Sequence, residues 1–213
     1  MNHTISNWRA VVIVVIVMCF LAPAHAQKRG TQQTAKECHV HPAPETAKTN
    51  TPPVPKLSIP DVDVLDQEGR TRKFFTDLVK DKIVIVNFVF TTCKLKCPLQ
   101  GVHYSELQAA LGERLGRDVF LISVSTDPET DSPDKLKAWG AKFKAKDGWT
   151  LVTGRKEELT PLLKVFTGDG PRTGYHTSSV CIVNGDKRTH RWAYGLETPE
   201  RIIQLVDELK RGE

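Results

Sequence analysis

From Leu57 onward the spacing of apolar residues switches several times between a period of two, unbroken runs and a helical period. Asp61 to Phe75 alternates apolar and polar around Asp66-Gln67-Glu68-Gly69, which predicts an opening hairpin. Ile83 to Phe90 is a continuous apolar run broken only by Asn87, the pattern of a strand buried on both faces. Pro98 opens a helical stretch to about Leu115, placed where its missing N–H costs nothing. Val119–Val124 reads as a second buried strand, and Ser132-Pro133 as the cap and first turn of a helix to about Lys146. A strand over Trp149–Val152 and a helix over Lys156–Phe166 follow. Ser179–Val183 and Arg188–Tyr194, joined through Asn184-Gly185-Asp186, predict a hairpin. Thr198 caps a last helix from Pro199 to Lys210.

Strand, helix, strand, helix, hairpin, helix is the order of the thioredoxin fold. The expected architecture is therefore α/β and thioredoxin-like, with one strand–helix insertion ahead of the closing hairpin and a short N-terminal hairpin extension. Residues 57–213 suffice for one core, and the chain shows no internal repeat.

The first 56 residues have a different character. Arg9 precedes the uncharged run Ala10 to Ala22, which as a helix reaches about 20 Å, short of a ~30 Å hydrocarbon core. Followed by Pro23 and Ala24-His25-Ala26, the run reads as a secretory signal over residues 1–26, cleaved before Gln27, or as an uncleaved inner-membrane anchor. Met18 stands where a small residue should precede a lipidated Cys19, which argues against a lipoprotein. The implied destination is the bacterial periplasm, where disulfides form. Residues 27–56 carry Pro42, Pro44, Pro52, Pro53 and Pro55 and almost nothing large and apolar, the composition of a flexible linker.

Composition narrows the function. At 39% hydrophobic and 26% charged, the 213-residue chain is globular rather than wholly disordered or collagen-like. The net charge of +5 is concentrated ahead of residue 57, where Arg9, Lys28, Arg29, Lys36, Lys48 and Lys56 face only Glu37 and Glu45. The foldable part is nearly neutral and has no basic stripe with interleaved aromatics, which excludes a nucleic-acid partner.

Four cysteines remain beyond the leader: Cys38, Cys93, Cys97 and Cys181. Cys93 and Cys97 stand in Thr91-Thr92-Cys93-Lys94-Leu95-Lys96-Cys97-Pro98, between the first buried strand and the first helix. A helix N-terminus offers free N–H groups and partial positive charge, and Lys94 and Lys96 add two full charges. Each favours the thiolate, which is both a metal ligand and the nucleophile of disulfide exchange. Three intervening residues let the sulfurs close a disulfide or grip one ion. A merely structural bridge over so short a loop would remove little unfolded-state entropy. Cys181 lies inside the apolar run Ser179–Val183 and reads as a buried small hydrophobe.

In thioredoxin-type oxidoreductases a cis-proline stands just before the closing hairpin, facing the cysteines. Here that place is nearest His176, with Pro171 several residues away. An imidazole facing two thiolates makes an S₂N set that suits copper in either oxidation state. In the linker, Cys38, His39 and His41 either form a loose accessory copper site or are incidental.

Several motifs in order carry a resemblance: Val86 to Thr91, Cys-x-x-x-Cys-Pro at 93–98, Val124-Ser125-Thr126-Asp127-Pro128 with Asp131 and Pro133, Trp149 to Gly154, and His176. Over nearly all of residues 57–213 the chain resembles the Sco/SenC copper proteins. The resemblance implies a metallochaperone that binds Cu(I) or Cu(II) through Cys93, Cys97 and His176. It also implies delivery of copper to the dinuclear CuA centre of cytochrome c oxidase or a related cuproenzyme, reduction of that centre's cysteines, or both. An upstream periplasmic copper donor or thiol reductant is the corresponding second partner. Tyr175 departs from the acid the family often has before the histidine, and Asp127 is a candidate to orient the imidazole instead. The alternative is a periplasmic thiol–disulfide oxidoreductase using Cys93 and Cys97 as its redox pair, for which His176 is unnecessary. A peroxiredoxin needs Thr-x-x-Cys, and Thr91-Thr92-Cys93 lacks that spacing.

Overall fold

The strand Ile83–Val89 (β3) is buried at every position, as its unbroken apolar run requires. The structure, a computed structural model, describes residues 56–167 and 178–212. β3 lies centrally in a mixed sheet with β1 (Asp63–Asp66), β2 (Thr71–Lys73), β4 (Val119–Ser125), β5 (Trp149–Thr153), β6 (Val180–Asn184) and β7 (Thr189–Ala193). The strand order is β2-β1-β5-β4-β3-β6-β7. β3 runs parallel to β4 and antiparallel to β6, so Ile83 lies opposite both Val119 and Asn184. With α1 (Lys96–Leu111), α2 (Pro133–Lys142) and α4 (Pro199–Arg211), strands β3, β4, β6 and β7 make the thioredoxin-like unit. The β5–α3 pair (α3, Lys156–Thr167) is the insertion and β1–β2 the leading hairpin.

Alternation along the sheet divides the interior into two cores. Ile83, Ile85, Leu121, Leu151 and Ile182 face Tyr104 and Leu107 of α1 and Ile202 and Val206 of α4. Val84, Val86, Phe88, Val124 and Val183 face Leu159, Leu162, Leu163 and Phe166 of α3, with Phe74 and Val79 closing the layer. Covering both faces is why β3 has no polar alternation. Emptying one such position, as in Leu162→Ala, costs about 2–5 kcal/mol.

Capping follows the sequence expectation. The Ser132 hydroxyl accepts the Lys135 N–H at the start of α2, and the Thr198 hydroxyl accepts the Arg201 N–H at the start of α4. Several boundaries shift for local reasons. α1 begins at Lys96 rather than Pro98 and stops at Leu111, because Gly112 turns to φ 53° and starts a short 3₁₀ turn. α2 stops at Lys142 rather than near Lys146, where Lys144 adopts φ 54°. Phe74 and Phe75, expected as strand, open a π-helical turn, Phe74–Val79. The β6–β7 turn needs glycine for proximity: a Cβ at Gly185 would sit 1.9 Å from the Val79 carbonyl oxygen. Among the described residues no helix is long and apolar enough to cross a membrane.

Candidate metal centre

β3 and β4 end level with each other, Val89 opposite Ser125, and the loops that follow are tied together. The Thr126 N–H bonds the Val89 carbonyl at 2.9 Å. Asp131, 1% exposed, accepts the Thr91 N–H at 3.1 Å, the Thr91 hydroxyl at 2.6 Å and the Ser125 hydroxyl at 2.7 Å. This buried carboxylate thereby sets the start of the loop that carries Cys93. Two residues deeper along β4, the Ser123 hydroxyl donates to Asn87 Oδ1 at 2.7 Å and accepts Trp149 Nε1–H at 3.0 Å. Asn87, the lone polar residue of the β3 run, is thus satisfied inside the core on its acceptor side.

The two cysteines take unequal places on this frame. Cys93 is half-buried in the loop, and Cys97 is buried in the first turn of α1. The helix has no side-chain cap at Leu95. Instead Cys93 Sγ accepts the Cys97 N–H at 3.4 Å, so the sulfur sits where a capping oxygen usually does. Burial opposes the Cys93 thiolate. Hydrogen bonds from the backbone N–H groups of Cys97, Leu95 and Lys96 and from the Cys97 thiol outweigh it, and hold the Cys93 thiol below the ordinary cysteine value. Burial pushes the Cys97 thiol up to about 12, with Cys93 and Asp131 beside it acting in the same direction. Backbone donors, then, do what the sequence assigned partly to Lys94 and Lys96, whose side chains are exposed.

Chemically this is one accessible, acidified sulfur backed by a second, buried one, able to close a disulfide or to grip a soft metal ion once both are deprotonated. Neither is in a disulfide here. Among the described residues no three His, Cys, Asp or Glu side chains gather as a metal site. His176, with Pro171 and Tyr175, lies outside the described residues, as do Cys38, His39 and His41 and the rest of residues 1–55. Asp127 is half-buried just past β4, where its carbonyl accepts the amides of Thr130 and Asp131. Cys181 is fully buried on β6, in the core on the opposite face from Cys97. Burial raises its thiol well above the ordinary value, in keeping with an inert hydrophobe. The residue that sequence reasoning left without a role is Asp131. Its signals were its place in the motif that follows Val124-Ser125-Thr126-Asp127-Pro128 and an acid directly ahead of the Ser132-Pro133 cap.

Fold and cysteine geometry together define a thioredoxin-like dithiol protein. The SCO1/SenC family pattern matches residues 60–211, and the chain belongs to that family. A SCO1 protein homolog of Bacillus subtilis (strain 168) is 32% identical over 141 residues, spanning 62% of this chain and 71% of the relative. The structure of Bradyrhizobium japonicum ScoI with copper bound is similar at TM-score 0.57 and 26% identity, covering 72% of this chain and 99% of that one. BsSco, described as a Sco-family cytochrome c oxidase assembly protein with a disulfide switch, is similar at TM-score 0.62 and 25% identity, covering 72% and 94%.

Proposed function

We propose that this protein is a copper metallochaperone: it holds one copper ion through Cys93, Cys97 and His176 and passes it to the CuA centre of a cytochrome c oxidase or a related cuproenzyme. The observation that carries this reading is the Cys93–Cys97 arrangement, an acidified half-buried sulfur against a buried one at a helix N-terminus. It stands in a chain of the SCO1/SenC family, one of whose members is similar in structure and holds copper. Two thiolates suit soft Cu(I), and His176 supplies the nitrogen that Cu(II) requires. Asp127 is the residue assigned to orient that imidazole. Cys38, His39 and His41 form at most an accessory site. The leader over residues 1–26 and the Pro-rich stretch over 27–56 fit an exported protein working in the bacterial periplasm, free or tethered.

The unequal acidity of the two thiols favours a second reading, thiol–disulfide exchange, in which Cys93 attacks and Cys97 resolves. One experiment separates the two. The full chain carrying Cys38→Ala, reduced, is titrated with Cu(I) and Cu(II) beside the same chain with Cys93→Ala and Cys97→Ala. Tight one-to-one binding lost in the triple variant supports the chaperone. Equal affinities in the two proteins refute it.

A further inference from the structure

The five exposed large apolar side chains among the described residues are Leu95, Leu99, Val102, Tyr194 and Leu196, each at least half exposed. Scattered singly they would need no explanation. They are not scattered. Leu95, Leu99 and Val102 follow one another at steps of four and three along the start of α1, so they line one outward stripe running away from Cys93. Tyr194 and Leu196 follow β7, whose last residue Ala193 pairs with Val180. That pairing puts the exit of β7 at the same end of the sheet as the exit of β3. α1 and α4, which flank this end, also pack on each other. At the opposite end of the sheet, near Lys82, the Lys210 ammonium pairs with Asp118 and Lys187 Nζ donates to the Lys210 carbonyl.

Resting on the chaperone reading, we infer that Leu95, Leu99 and Val102, extended by Tyr194 and Leu196, form the docking face for the acceptor protein, an apolar patch bearing its own thiols and rimmed with carboxylates. The chemistry of transfer demands contact at this place. Two Cu–S bonds to Cys93 and Cys97 and the Cu–N bond to His176 break as two Cu–S bonds and one Cu–N bond form on the acceptor, with the oxidation state unchanged. The protons released by the acceptor's thiols are taken up by Cys93 and Cys97. Both sulfur pairs must therefore reach one ion, and the surface around Cys93 has to be covered by the acceptor while they do. Charge selects the rim. Lys94 and Lys96 flank Leu95, are exposed and have no ion-pair partner among the described residues. Acceptor carboxylates belong opposite these two lysines, since Glu197 and Glu200 already occupy the other arm.

The test uses the full chain, wild type and Leu99→Gln/Val102→Gln, with the metal-free, reduced CuA domain of a cytochrome c oxidase as probe. Both residues lie on the outer face of α1, and circular dichroism of the variant checks that the helix is kept. Copper affinity is expected to stay unchanged, while association of the metal-free proteins weakens about tenfold or more, the usual effect of truncating an interface anchor. Wild-type association is expected to fall as salt rises, and less so for Lys94→Gln/Lys96→Gln. Undiminished association of the Leu99→Gln/Val102→Gln protein overturns the inference. So does finding that wild type ignores the CuA domain but dimerises through this stripe, as a second copy would then be its occupant. Loss of copper binding by wild type itself would refute the chaperone reading instead, and the association measurement, made without metal, still decides the docking face.

Discussion

The carboxylate of Asp131 accepts both the backbone N–H and the hydroxyl of Thr91, forty residues away in the chain, at 3.1 and 2.6 Å. The same carboxylate takes the Ser125 hydroxyl, so one buried acid ties the exits of β3 and β4 to each other beside the cysteine pair. Removing it strands three donors in a dry place. Asp131→Ala is expected to lower stability by about 1–3 kcal/mol and Asp131→Asn by less, since an amide oxygen still accepts. Thermal unfolding measures the first part. A loss of copper affinity in Asp131→Asn larger than its loss of stability would show that Asp131 also sets the Cys93 loop.

The two site thiols should label in a fixed order. Cys93 alkylates first, with a rate that climbs at a pH below the ordinary cysteine range near 8.5. Cys97, held up to about 12, and Cys181 on the far face stay unlabelled at neutral pH. Peptide mapping after a short iodoacetamide pulse reads this directly. Equal labelling of Cys93 and Cys97 would contradict the unequal placement described above.

For the imidazole, the proposed ligand set makes a sharper demand. His176→Ala is expected to weaken Cu(II) far more than Cu(I), because two thiolates alone satisfy a linear soft ion whereas Cu(II) needs nitrogen ligands. Competition titrations in both oxidation states test it, and equal losses would show that His176 acts in some other way. Oxidising Cys93 and Cys97 to a disulfide should abolish binding of either ion, since the same two sulfurs cannot serve both bonds.

Acid stability depends on Asp66 in the leading hairpin. Burial opposes its charge. The Arg70 and Glu68 amides and the Arg70 and Arg72 guanidinium groups outweigh that, keeping the carboxyl below its usual range. A lowered folded-state value means the stabilisation is present above the unfolded value of about 3.9 and is lost as pH falls through the folded one. Asp66→Asn should therefore be less stable than wild type at pH 7, with the gap narrowing below about pH 4. Chemical denaturation at pH 7, 4 and 2.5 checks it; a constant gap would assign the effect to shape rather than charge.

Much of this protein is written locally. The run Ile83–Phe90 needs burial on both faces. Ser132-Pro133 and Thr198-Pro199 cap helices through hydroxyls three residues from their donors, and Cys93 and Cys97 meet across a single helical turn. Such features follow from neighbours in the chain, because the forces involved act over one turn or one pleat. What only the tertiary structure decided links distant segments. β1 lies antiparallel against β5, Asp131 closes on Thr91, and Cys97 and Cys181 fall into different cores. The source of the Cys93 acidity belongs to the same group. Sequence places two lysines nearby, but backbone N–H groups at short range dominate because the lysine side chains extend into water, which screens them. Spacing along the chain could assign each residue to an element, while its partners were set by which elements the sheet brought side by side.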